Sequence, residues 1–474
     1  MHPVYLLLYT PFGGAAIALF GKLVSGSAQT RIGRTTSRIC SILAIATLGV
    51  STWGLVESLP LVLAGGETSI ALGGWRGPAA IVCTLDGFAW LSSALIVGIS
   101  VPAAITAFAR PAYGASFFFF FMVLVAGMQT VVLTSDVFTM FVAFEIVALA
   151  AYVLIAYDRT DEGLLASLKY LVLSSVGILF FLFGVFLIYR DYGTLSFHLI
   201  RELNAHTSIA ETRSVHIAVA ALVVGIGVRT AFIPFHTWLP EAHAYAPHPV
   251  SAVLSGVLIK ISFFALVRIL SVFSADYLYS LLMWIGAITA LAAVVWALAQ
   301  SDVKRLLAYH SISQMGYVLA AYGAVNAIAF PAAFFHALNH ALFKSLLFLA
   351  VGTVIHIRRE RDLYRIAPVG RVAPGVALAL IIGAASIAGV PPFNGFVSKQ
   401  LVTAAVQHPA ALFLIRVTAV GTVASFIKLG RIALPARRTV AKGDHASPNR
   451  PSFLTVYLPL GALAAACLLV GVYA

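Results

Sequence analysis

Two stretches decide the fold: RTAFIPFHTWLPEAH at 229–243, and, far downstream, SIAGVPPFNGFVSK at 386–399. Both lie in strongly apolar surroundings, and both carry proline where a helix would otherwise run on, with polar or charged groups beside the break. Proline removes an intrahelical hydrogen bond, and in a bilayer the freed carbonyls must find other partners. Such a break survives only where it faces protein or trapped water. Each stretch therefore predicts a discontinuous membrane helix beside a hydrated cavity.

The bilayer itself is read from composition. Hydrophobic residues make up 61% of the chain, charged residues 10%, and the mean hydropathy is +0.98. Apolar runs long enough to span a membrane recur along the chain, and fourteen are expected, at roughly 4–23, 38–57, 80–104, 112–132, 136–157, 165–190, 214–235, 248–272, 278–299, 304–324, 330–356, 373–406, 411–434 and 452–473. The first run lacks a basic n-region and a cleavage-type ending, so it reads as a span and not as a leader. The expected fold class is an all-α polytopic membrane protein, a single membrane domain over 1–474. No connection is long enough to fold alone, and the polar stretch 435–451, rich in Arg and Lys, reads as a flexible internal loop.

The formal net charge of +13 could suggest nucleic acid, but its placement says otherwise. With the N-terminus outside, internal loops hold Lys22, Arg31, Arg34, Arg38, Arg110, Arg159, Lys304, Arg305, the 358–371 cluster and the basic residues of 431–450. External loops hold only Arg76, Arg190, Arg201 and Arg213. That bias is the positive-inside rule, and it predicts a multi-pass cell (inner) membrane protein with both termini on the external side. Nucleic acid is excluded as a partner. Cys40, Cys83 and Cys467 are isolated, and there is no CxxC pair, P-loop or GxGxxG. His236, Glu241 and His243 match no metal-ligand spacing, so neither metal nor cofactor is expected in this chain, nor any redox or nucleotide chemistry of its own.

Charges remain inside the spans, where each costs about 2.5–3.5 kcal/mol at the bilayer centre on insertion scales. Arg268, Arg416 and Lys428 suit snorkelling from helix ends. Glu145 and Lys260 do not, because each sits mid-span. His336, His340 and Lys344 in HALNHALFK are spaced i, i+4, i+8 and stack on one helix face. A lone histidine there is more often a packing residue, but three titratable groups on one face favour a relay, with His310 a further candidate. Arg229 and His236 flank the first break, while Asn394, Ser398 and Lys399 follow the second.

A weak internal repeat also emerges. A lysine-bearing span (Lys169, Lys344), a proline-broken span and a second lysine (Lys260, Lys428) recur roughly 160–175 residues apart, an offset expected of inverted repeats in ion-coupled transport. The expected layout is N-terminal helices over 1–111, a first repeat over 112–272, a second over 278–434 and a last helix over 452–474.

RTAFIPFHTWLPEAHAYAPHPVSAVLSGVLIK, QSDVKRLLAYHSISQMGY, HALNHALFKSLLFLAVG and GVPPFNGFVSK resemble the antiporter-like membrane subunits of respiratory complex I, Mrp-type cation/proton antiporters and energy-converting hydrogenases. The resemblance covers roughly 80–434. It implies fourteen helices with two inverted five-helix repeats and a central row of buried charges. In it Glu145 pairs with Arg229, and Lys260 and Lys399 carry the proton path. Beside these positions, the residues themselves suggest His336, His340, Lys344, Lys169, His310 and His236 as a supporting relay. Arg229 departs from the family pattern, which usually has lysine. The chain ends soon after the last span, without the long lateral helix of the most distal complex I member, and His310 stands where complex I members more often have serine. The first feature argues against that distal member, and His310 tilts the resemblance toward the hydrogenase-type and Mrp-type relatives.

The expected function is proton translocation, with Na+/H+ exchange as one form of it, in a multisubunit complex whose other membrane subunits include antiporter-like paralogues. The alternatives are a quinone-linked redox subunit of a complex I-like NADH dehydrogenase and a membrane partner of a CO2/bicarbonate uptake complex.

Overall fold

A computed structural model describes residues 2–25, 31–73, 80–273, 276–435 and 452–474. The charges Arg76, Arg437, Arg438, Lys442 and Arg450, and nearly all of the predicted 435–451 loop, fall outside the described residues. The helices in chain order are α1 (Pro3–Ser25), α2 (Arg31–Leu63), α3 (Gly87–Phe108), α4 (Ala115–Leu133), α5 (Val137–Ile155), α6 (Asp161–Tyr192), α7 (Phe197–His206), α8 (Arg213–Thr230) and α9 (Leu239–Tyr245). They continue as α10 (His248–Val253), α11 (Ile259–Leu270), α12 (Asp276–Leu298), α13 (Val303–Tyr322), α14 (Ala329–Arg358), α15 (Pro374–Ala388), α16 (Asn394–Ala405), α17 (Pro409–Gly430) and α18 (Leu458–Tyr473). One antiparallel hairpin, β1 (Thr68–Leu72) with β2 (Ile81–Leu85), precedes α3.

Among the described residues, 12 helices are long and apolar enough to cross a membrane. The expected spans outside that set are α13, a full-length helix diluted by His310, Ser311, Ser313 and Gln314, and the α15–α16 pair, which the second proline stretch divides. Local chemistry places the ends. Asp136 caps α5 by accepting from Thr139 N at 2.6 Å, and Asp302 caps α13 by accepting from Lys304 N and Arg305 N.

Both predicted breaks are present. α8 stops at Thr230, and irregular backbone containing the cis Ile233–Pro234 bond runs to α9. The freed Ile233 N–H donates to Thr289 Oγ1 at 3.2 Å. α15 stops at Gly389, whose φ of +82° lies in the left-handed region open to glycine, and the cis Pro391–Pro392 bond precedes α16.

The chain forms two compact units. The first comprises Met1–Ala104, Arg110–Thr230 and Leu258–Ala275; the second comprises Ile105–Ala109, Ala231–Val257 and Asp276–Ala474. A π-helical turn at Leu254–Leu258 lies where the chain passes from second to first. In the first unit α1 packs on α2 and α4, α6 on α8, and α8 on α11. α6 turns Leu168, Val172, Leu179 and Phe183 outward, as a lipid-facing helix does.

In the second unit α14 is the hub, packed by α13, α15, α16 and α18 around Phe343, Leu347, Phe348 and Val351. α12 and α13 approach backbone to backbone. A Cβ on Gly286 would meet Ala320 N at 2.3 Å, one on Gly316 would meet Ala290 N at 2.5 Å, and one on Gly323 would meet Met283 N at 2.3 Å. No larger residue fits at those crossings without moving backbone.

Candidate functional site

The first unit brings Arg229 to Glu145. Arg229 lies in the last turn of α8, directly before the break, and its Nη2 donates to Glu145 Oε1 at 2.9 Å. Its guanidinium also lies 5.0 Å from the centroid of the Phe144 ring. Burial is divided unexpectedly: the Arg229 side chain is 3% exposed and that of Glu145 is 45% exposed. The sequence places Glu145 in a central buried row. In the chain alone α5 leaves that side chain half-exposed.

Lys260 is fully buried at the second position of α11, just after the π turn. Lys169, expected within the relay, lies exposed on α6 beside the outward Leu165, Leu168 and Val172. It sits near the start of a helix that is longer than its predicted span.

The second unit gathers the remaining candidates. His310 on α13 and His336, His340 and Lys344 on α14 are all fully buried. The His336 and His340 rings stack at 6.4 Å, and Lys344 Nζ donates to the Leu307 carbonyl. α16 delivers Ser398 to His336, with Oγ 3.0 Å from Nδ1.

Lys399, next in sequence, donates through Nζ to Ile387 O at 2.6 Å. That carbonyl belongs to the last turn of α15, where the helix break leaves acceptors without intrahelical donors. The broken helix and the buried lysine thus complete one another. Lys399 Nζ also lies 5.3 Å from the centre of the Tyr317 ring, which neighbours His336 at 5.6 Å. Asn394 Nδ2 donates to Asn339 Oδ1 at 2.8 Å, tying the start of α16 to α14.

His310 and Gln314, one turn apart on α13, have no hydrogen-bond partner for any side-chain N or O atom among the described residues. His236 is half-buried and stacks on Trp296 at 4.9 Å. Sequence reading misses Tyr317, Gln314 and Asn339. Asn339 stands three positions after His336, so the helical repeat that flags the histidines carries its signal too.

Arg268, which the sequence suits for snorkelling, lies in the last turn of α11, where Nη1 and Nη2 grip Asp86 at 2.7 and 2.8 Å and the guanidinium lies 4.9 Å from the Phe88 ring. Asp86 also accepts from Ala89 N at 2.8 Å and so starts α3. Burial alone would raise the Asp86 carboxyl, but the hydrogen bonds and charge of Arg268 and the Ala89 N–H outweigh it and hold the carboxyl below the usual range.

A carboxyl depressed on folding contributes stability that is present above its unfolded value, about 3.9, and lost as pH falls through the lower folded one. Melting of Asp86→Asn should therefore fall below wild type from pH 5 to 8, with the gap starting to narrow below about pH 4 and closing only below the lower folded value. A constant gap down to pH 3 would contradict this.

Among the described residues no group of three or more His, Cys, Asp or Glu side chains is placed to hold a metal ion. The family described as "NADH:quinone oxidoreductase/Mrp antiporter, TM" matches residues 134–427, the segment holding every side chain of both clusters. The chain belongs to that family. It is 30% identical over 371 residues to an Na(+)/H(+) antiporter subunit of Alkalihalophilus pseudofirmus, covering 76% of this chain and 74% of that one. It is 32% identical over 354 residues to a hydrogenase-4 component F homolog of Methylacidiphilum infernorum, covering 72% of each. The solved Mrp complex from Dietzia sp. contains a chain that superposes with a TM-score of 0.86 at 25% identity, covering 99% of this chain and 94% of that one. The Mrp/NADH:quinone oxidoreductase membrane-subunit fold thus accounts for the whole helical array.

Proposed function

We propose that this chain translocates protons across the membrane as one subunit of a multisubunit ion-transporting complex. The observation that carries the reading is the buried set His310, His336, His340, Lys344 and Lys399, of which His336 and Lys399 bond to the segments flanking the α15–α16 break. Burying so many titratable groups is costly and gains nothing for packing; a proton path is a use that requires it. His310 and Gln314 support hydration, since a buried polar atom left unpaired costs about 1–3 kcal/mol and internal water removes that cost.

Each residue has a role in this reading. Lys399 and Lys344 exchange protons, and the histidines and Ser398 pass them on. Lys260 is the proton site of the first unit, and the Arg229–Glu145 pair is the fixed charge that biases it. Lys169 and His236 are peripheral. The repeats over 112–272 and 278–434 rest on the matching order of a long helix, a proline break and a short helix at 213–245 and 374–405. Sodium as the exchanged ion rests on the relative's name alone.

The relatives' names describe subunits of larger assemblies, which supports dependence on partners. Expressed alone in vesicles, the chain should give no sodium- or gradient-dependent proton exchange above empty-vector vesicles. The same chain in its native complex should restore exchange. Robust exchange by the lone chain would overturn the partner-dependent reading.

A further inference from the structure

At the ends of α1, α4, α5 and α6 the first unit forms a groove of about 860 Å³ that the proton-path reading does not use. Lys22, in the last turn of α1, and Arg159, just past α5, stand at its mouth. Ser116, in the first turn of α4, adds a hydroxyl. Phe120, Val153 and Leu164 form apolar walls, and Phe120 lies about 8 Å along α4 from its start at 1.5 Å per residue.

Among the described residues, the only charged side chains lining the groove are these two cations. Neither enters a salt bridge or donates a side-chain hydrogen bond among the described residues. The adjacent Asp158 accepts instead from Tyr113 at 3.4 Å, and Asp161 and Glu162 in the first turn of α6 do not line it.

We propose that this groove is a binding site for an anionic diacyl phospholipid. The phosphate lies between Lys22 and Arg159 within reach of Ser116, and an acyl chain runs along Phe120, Val153 and Leu164. The depth matches a lipid, because helix ends sit at headgroup level and the walls one to two turns in sit among acyl chains. The charge matches an anionic one, since basic pockets between helix ends attract acidic headgroups. A zwitterionic headgroup would bring its own cation against two unpaired cations. By the distribution of loop charges, the site faces the internal leaflet.

The test titrates the delipidated full chain with phosphatidylglycerol, phosphatidylcholine and inorganic phosphate, reading occupancy by native mass spectrometry. The variant is K22Q/R159N; asparagine is chosen because Arg159 has φ +54°, which asparagine tolerates. At about 1 kcal/mol, or about fivefold, per cation, phosphatidylglycerol should bind the variant roughly 30-fold more weakly. Phosphatidylcholine should bind wild type no better than phosphatidylglycerol binds the variant, and millimolar phosphate should not displace the lipid. If the double variant fails to fold, as judged by melting in phosphatidylcholine, each single variant should still show about a fivefold loss.

In the intact native complex the variant should carry one phospholipid fewer per copy of this chain. Equal affinity of wild type and variant, or equal binding of phosphatidylcholine, would overturn the proposal. Displacement by millimolar phosphate would make this a small-anion site. An unchanged lipid count in the complex would mean that a neighbouring protein covers the groove, and would overturn it too.

Discussion

Glu145→Leu is expected to destabilise this protein more than Arg229→Leu, although the two side chains form one ion pair. The asymmetry follows from burial, with Arg229 3% and Glu145 45% exposed. Removing the carboxylate strands a buried guanidinium that cannot neutralise itself, because arginine keeps its proton at any working pH. Arg229 Nε and Nη1 already lack partners among the described residues, so Glu145 is its main anchor. Breaking a buried pair in this way costs about 3 kcal/mol. Removing the guanidinium instead leaves a side chain that this chain does not itself enclose, so the loss should be smaller.

The double variant should melt above Glu145→Leu alone, since no charge is then left unpaired. Thermal melting of the four proteins in one lipid decides the matter. If Arg229→Leu melts lower than Glu145→Leu, or if the losses are additive, the dependence of Arg229 on Glu145 is wrong. The same four proteins in the complex test the biasing role: additive losses of transport would leave the pair with no coupled part in it.

Lys399→Ala and Lys344→Ala should each cut proton transport by the native complex at least about tenfold, a barrier increase of about 1.4 kcal/mol or more. Lys428→Ala should stay within about twofold, because Lys428 is half-exposed and its Nζ lies on the Gln300 carbonyl at 2.6 Å, where it covers the end of α12. Lys399→Arg separates chemistry from scaffolding. Arginine keeps the positive charge and can still donate to Ile387 O, so a purely structural lysine would be rescued. A proton-exchanging lysine would not, because arginine does not release its proton. Transport by Lys399→Arg at near wild-type rate would remove Lys399 from the path.

What the sequence reveals depends on the range of each signal. Span positions and both breaks are legible, since run length and proline act locally; even the α15–α16 division follows from Pro391 and Pro392. The α14 row is legible because helical spacing puts His336, His340 and Lys344 on one face. Contacts between distant segments are not. Arg268 looks like a snorkelling residue because its partner, Asp86, is 182 positions away. Glu145 looks buried because α5 is apolar on every side, and a helix without a polar face gives no sign of which side faces out. Lys169 misleads for the same reason on α6, whose outward side is as greasy as its inward one.

The glycine crossings of α12 and α13 constrain how the second unit can work as a machine. With Gly286, Gly316 and Gly323 holding the two backbones in direct contact, neither helix has the side-chain cushion that lets packed helices slide past one another. The pair is one stiff beam, and His310 is bolted to it. A stroke in this unit must come from parts with slack, such as side-chain rotamers along the row or the segments at 231–238 and 389–393, where the backbone is not helical.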